Sequence, residues 1–188
     1  MKTIFAMVLL SLSAVTSLQA ATVSFLPSSI SVSVGENFSV DIMGSFQGAE
    51  ALDGGGLNLS FSPSILNVTG VTINTALFEF SPDAGTISNA TGTVSNIIFN
   101  SFANTPTGTF RIATVDFTAI GVGQSVLGLT ESTLNPFALS GLPIPVTLAA
   151  GSIVSSVPLP AAMWLMLSGA GLLGWTAKRK RRLVGTAA

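Results

Sequence analysis

The stretch Ile112-Ala113-Thr114-Val115-Asp116-Phe117-Thr118-Ala119 sets the fold class of this 188-residue chain. In an extended strand successive side chains point to opposite sides, so Ala113, Val115, Phe117 and Ala119 share one face and Thr114, Asp116 and Thr118 the other. Phe38-Ser39-Val40-Asp41-Ile42 and Leu57-Asn58-Leu59-Ser60-Phe61 repeat the same period. Turn formers separate these runs: Gly35-Glu36-Asn37, Asp53-Gly54-Gly55-Gly56, Ser62-Pro63, Ser81-Pro82-Asp83, residues 104–108 and Gly121-Val122-Gly123. No helical period interrupts residues 21–153. Short strands at this spacing predict an all-β fold, a single antiparallel β-sandwich over residues 21–151, with residues 152–157 as a tether.

Two flanking segments read as targeting signals. Lys2, the apolar residues 4–12 and Ser17-Leu18-Gln19-Ala20 make residues 1–20 an N-terminal signal peptide cleaved after Ala20. At the other end, residues 161–177 form an apolar run long enough for a helix of about 26 Å, at the short end of what crosses a bilayer. Trp164 and Trp175 lie near its ends, where indole rings favour the interface. A C-terminal transmembrane helix over 161–177 is therefore expected. The basic stop Lys178, Arg179, Lys180, Arg181 and Arg182 marks its cytoplasmic side.

The charge is split between compartments. Eight acids (Glu36, Asp41, Glu50, Asp53, Glu79, Asp83, Asp116 and Glu131) stand against Arg111 alone in residues 21–157, a formal charge of −7. The whole-chain value of −1 hides this. Nucleic acid, whose affinity comes from Lys and Arg meeting phosphates, is excluded as a partner of such a surface.

Chemistry is limited by what is missing. The chain has no His, Cys or Tyr, which removes Ser-His-Asp and Cys-His machinery, disulfides and thiolate or imidazole metal sites. A carboxylate pair suffices for glycoside hydrolysis, but the acids are scattered singly, Glu50 and Asp53 lying closest. The reading is non-enzymatic, with no catalytic residues and no cofactor. Calcium is the one metal left open, with Glu50, Asp53 and Asp83 as candidate loop ligands against the simpler reading of solvated turns; no Asp-x-Asp-x-Asp spacing is present. Sugar platforms favour exposed Trp or Tyr, yet both tryptophans lie in the apolar run and the aromatics of 21–157 are all Phe, a core residue. No stacking platform is expected, which leaves polar recognition through Asn and Thr.

The tail Val157-Pro158-Leu159-Pro160-Ala161-Ala162-Met163-Trp164-Leu165, followed by Ser168-Gly169 and the basic cluster, resembles the PEP-CTERM sorting domain of exopolysaccharide-producing Gram-negative bacteria. Leu159 stands where that family carries glutamate. The resemblance makes 158–188 a sorting signal and Val157, Pro158, Leu159 and Pro160 its processing motif. It implies an exosortase-type membrane protease or transpeptidase as partner, and an inner-membrane-anchored precursor destined for the cell surface or extracellular matrix. The body resembles a cohesin domain in three pieces: Val34-Gly35-Glu36-Asn37-Phe38-Ser39-Val40-Asp41, then Gly56-Leu57-Asn58-Leu59-Ser60-Phe61-Ser62-Pro63-Ser64-Ile65-Leu66-Asn67-Val68, then Ile112 to Ala119 with the segment 121–129. This implies a cohesin-like jelly roll, related to carbohydrate-binding modules, that binds a protein or polysaccharide ligand. The alternative is a carbohydrate-binding module acting on exopolysaccharide.

Overall fold

The structure, a computed structural model, describes residues 21–46 and 52–157 together with Met166. The expected signal peptide, the helix 161–177, the motif residues Pro158, Leu159 and Pro160, and the basic stop lie outside the described residues, Met166 apart. Among the described residues no helix is long and apolar enough to cross a membrane.

Two β-sheets face each other. The first runs β12 (Val146–Leu148), β1 (Ala21–Leu26), β3 (Asn37–Phe46), β8 (Gly108–Ala119) and β5 (Leu66–Ile73). The second runs β2 (Ser29–Ser33), β13 (Gly151–Ser156), β9 (Gly123–Glu131) and β4 (Gly54–Ser60), with β7 (Thr93–Asn100) and then β6 (Thr86–Ser88) beyond β4. A short hairpin of β10 (Ala138–Leu139) and β11 (Leu142–Pro143) adjoins Gly54 of β4.

The strand β8 alternates as its sequence dictates. Ala113, Val115, Phe117 and Ala119 are buried, and Thr114, Asp116 and Thr118 are not. Opposite β3 the register shifts: Ile42 pairs with Ala113 but Met43 with Arg111, which leaves Ile112 as the extra residue of a bulge. The bulge resets the phase, so that Phe110 and Ile112 also face inward.

Three expectations are corrected. The sandwich is mixed rather than wholly antiparallel: β1 and β12 pair in parallel, as do β2 and β13. Both chain ends divide between the two sheets, so the first and last strands of each sheet lie side by side. Residues 152–156 are no tether, because β13 pairs with β9 and β2 along its length, with Ile153 and Ser155 buried. Gly54-Gly55-Gly56 is no turn. It opens β4, where neighbours lie too close for a side chain: a Cβ on Gly55 would sit 2.8 Å from the Phe137 ring, and one on Gly54 2.8 Å from the Phe99 carbonyl.

The described core is built largely of rings, with centroids 5.4 Å apart for Phe38–Phe117, 5.6 Å for Phe46–Phe110, 5.1 Å for Phe78–Phe99 and 5.7 Å for Phe99–Phe137. Among the described residues every buried side chain lies between Ala21 and Ser155. Strand ends collect at two poles. Phe46 pairs with Gly108, Gly54 with Asn100 and Leu57 with Glu131 at one of them. At the other, Asn37 pairs with Thr118 and Ser155 with Gly123, and the chain leaves β13 toward Val157. We call this second pole the exit end and the first the far end.

Candidate binding surfaces

At the far end two loops, 74–85 between β5 and β6 and 101–107 between β7 and β8, are locked together. Phe80 donates its N–H to the Asn100 carbonyl at 3.0 Å. The Glu79 carboxylate accepts the N–H of Ala103 at 2.6 Å and of Phe102 at 2.9 Å, and the Ser101 hydroxyl lies 3.4 Å away. The backbone donors of Ala103 and then Phe102 lower its pKa from about 4.5 to about 2. Ser101 in turn accepts the N–H of Asn104 at 3.0 Å.

What this clamp holds out is aromatic. Phe80 is 57% and Phe102 85% exposed, with ring centroids 6.2 Å apart and tilted by 38°. Leu134, in the loop after β9, and Leu142, in β11, are 74% and 69% exposed at the same end, and Asn135 ties the first loop in by donating to the Asn100 side chain at 2.9 Å. An exposed aromatic pair therefore exists where composition predicted none. The available signal was position. Phe80 directly precedes the turn Ser81-Pro82-Asp83, and Phe102 lies beside Asn104, each outside any alternating run.

Because the lowered pKa belongs to the folded clamp, the carboxylate contacts are complete above pH 4.5 and are lost as pH falls toward 2. We expect the amide resonances of Phe102 and Ala103 to titrate with a midpoint near pH 2 rather than 4.5. In Glu79→Gln that transition should vanish. A midpoint near 4.5 in the native chain would show that the clamp does not form.

The other acids do similar local work. Glu36 accepts the N–H of Ser33 at 2.8 Å, Asp83 that of Gly85 at 2.9 Å and Glu131 that of Phe137 at 2.7 Å, while Asp53 accepts that of Ser140. Of the candidate calcium ligands, Glu50 lies outside the described residues, Asp53 holds the turn of the β10–β11 hairpin and Asp83 its own loop. Among the described residues no three His, Cys, Asp or Glu side chains gather to hold a metal.

A second surface lies on the outer face of the first sheet. Across β3 and β8, Thr118 donates to the Asn37 side-chain oxygen at 2.5 Å, Ser39 to Asp116 Oδ1 at 2.6 Å and Thr114 to Asp41 Oδ1 at 2.6 Å. Arg111 Nη1 stands 3.9 Å from Asp41. Beside this ladder is a depression of about 380 Å³ lined by Asn37, Phe38, Ser39, Thr69, Asp116 and Phe117. It forms because β5 bulges between Val68 and Gly70, making Thr69 the extra residue, and because Gly70 places no side chain opposite Asp116. The alternation of β3 and β8 placed Ser39, Asp41, Thr114, Asp116 and Thr118 away from the core; their pairing and the bulge were not legible.

The sandwich matches solved cohesin structures. A cohesin from Clostridium acetobutylicum shares 20% identity at a TM-score of 0.58, with 75% of this chain and 94% of that one covered. The third ScaC cohesin of Acetivibrio cellulolyticus, solved in complex with the ScaB dockerin, shares 18% at 0.55, covering 72% and 98%. A non-cellulosomal cohesin from the archaeon Archaeoglobus fulgidus shares 15% at 0.53, covering 77% and 95%. No family model and no curated protein matches the chain. At these identities the likeness is one of fold: the sandwich is cohesin-like.

Proposed function

We propose that this cohesin-like sandwich is a non-catalytic binding module, exported and sorted to the surface or matrix of a Gram-negative cell, that grips a partner protein with its far end. The exposed Phe80–Phe102 pair carries the reading. Aromatic side chains are enriched at interface hot spots, where a few anchors supply most of the affinity. Glu79 fixes the Phe102 loop before any partner arrives, which lowers the ordering cost of binding. The fold supports a protein ligand, since one of the solved cohesins was captured with its dockerin. The engagement of all seven described acids in backbone, hydroxyl or arginine contacts favours a structural over a catalytic role for them.

The tail supports the address. Residues 1–20 act as signal peptide, 158–188 as sorting signal, Val157-Pro158-Leu159-Pro160 as the motif read by an exosortase-type enzyme, and Lys178 to Arg182 as the cytoplasmic stop. β13 ends at Ser156, with Val157 alone between it and Pro158 in sequence, and Phe80 and Phe102 lie at the pole opposite the one where the chain leaves β13.

One experiment with two arms tests this, in cells carrying an exosortase. Pro158→Ala with Pro160→Ala should leave an unprocessed membrane form; normal processing would remove the sorting reading. Phe80→Ser with Phe102→Ser should be processed normally but lose the partner that purified native protein binds, by about 30-fold or more in Kd, the scale of one hot-spot residue. Unchanged affinity would remove the far end from the reading.

A further inference from the structure

We infer that the outer face of the first sheet carries a second site, a saccharide site centred on Asp116 in the depression beside β5. It needs only that the chain reach a compartment containing polysaccharide, and is independent of the far-end partner. The argument is one of hydrogen-bond complementarity. A sugar hydroxyl both donates and accepts, so its site must present both functions side by side. Asp116 accepts Ser39 on Oδ1, and its Oδ2 faces the space that Gly70 leaves, 3.5 Å from where a Cβ would stand. A carboxylate oxygen can only accept, whereas the Asn37 amide, its oxygen taken by Thr118, offers N–H donors. The Ser39 hydroxyl has committed its proton to Asp116 and so presents a lone pair polarised by that bond. Thr69, extruded by the bulge, adds a hydroxyl on the opposite wall.

Phe38 and Phe117 close the floor of the depression, their rings stacked at 5.4 Å on the core side of the sheet, so recognition rests on the polar groups above them. At about 380 Å³ and open to solvent, the depression can seat a sugar ring at the surface without enclosing it. Charge decides the ligand class. Asp41 and Asp116 are the acids of this face and Arg111 its described cation, already beside Asp41, so a neutral sugar is favoured over an anionic one. A calcium ion is disfavoured, because it needs six to eight oxygens and a single carboxylate lines the depression. The site is open to solvent, which makes single contacts weak and repeated contacts along a polymer additive in effect.

The test uses ¹⁵N-labelled full-length protein, titrated with neutral hexaoses of glucose, galactose or mannose to about 10 mM, a range that detects millimolar Kd. Amide shifts should concentrate at 37–39, 69–70 and 116–118 with at least one of the three sugars. Asp116→Asn, which keeps the Ser39 contact, should weaken binding about tenfold, the scale of one charge-assisted hydrogen bond. Gly70→Leu should fill the depression and abolish binding, while Phe102→Ser should leave it unchanged. Four outcomes would overturn the inference: no shifts with any hexaose; shifts clustered at Phe80 and Phe102; the same amides moving with calcium chloride alone; or unchanged affinity in both Asp116→Asn and Gly70→Leu.

Discussion

Phe117→Ala is expected to destabilise the sandwich by about 3–5 kcal/mol, the usual cost of truncating a buried aromatic. Phe117 lies near the end of β8, fully enclosed. Its ring stacks on Phe38 at 5.4 Å and meets Phe61 edge-on at 6.1 Å, so the cavity would open where a strand of one sheet touches the segment following β4 of the other. These two aromatic partners cannot collapse into that space without breaking their own contacts, and close-packed interiors relax only in part. Against a typical domain stability of about 5–15 kcal/mol, the loss leaves the module marginal. Urea unfolding of the full-length protein would show it as a lower midpoint at unchanged slope. Phe102→Ala is the internal control. Its ring is exposed, and the change should stay within about 0.5 kcal/mol. Equal effects at the two positions would contradict the packing described.

Gly55→Val tests the opposite failure, excess volume. The added Cβ would stand 2.8 Å from the Phe137 ring, and that ring has nowhere to go. It is fully buried, packs on Phe99 at 5.7 Å and Phe46 at 6.4 Å, and its N–H is held by Glu131 at 2.7 Å. Overpacking of this kind costs about 1–3 kcal/mol, and more where neighbours are rigid. Valine also suits a strand better than glycine does, so the sign of the result decides between local propensity and tertiary crowding. We expect crowding to win and the smaller Phe137→Leu to recover part of the loss in the double variant, as contacting residues couple. A Gly55→Val protein as stable as the native one would show the space to be larger than described.

Both predictions bear on what was readable in the chain. The strands β3, β4 and β8 were legible because burial on one face imposes a two-residue period, and period survives without knowledge of the partner strand. The polar ladder Asn37–Thr118, Ser39–Asp116 and Asp41–Thr114 was half legible: all members but Asn37, which read as part of a turn, could be placed on an outer face, but which stood opposite which depended on register. The glycines 54–56 misled because glycine marks turns by its freedom and strands by its smallness, and only the rings and backbone around it say which applies. Residues 152–157 misled because a Ser-rich edge beside prolines looks like a linker until β9 and β2 are seen on either side of it.

The far end was the least legible feature. Phe is buried at eight described positions and half-buried at Phe38, so composition correctly assigns phenylalanine to the core and says nothing of the two exceptions. Their exposure follows from where the strands end and from the Glu79 clamp, which turns Phe102 outward by holding its backbone and that of Ala103.

The sequence by itself determined the all-β class, the positions of the main strands, the acidic and cation-poor character of the body and the absence of His and Cys chemistry, since these rest on local period and composition. The tertiary structure decided the parallel pairing of the two chain ends, the incorporation of 152–156 into the sheet, the Thr69 bulge with its depression and the exposed Phe80–Phe102 pair. All of these depend on contacts between residues far apart in the chain, and such contacts leave no local signature.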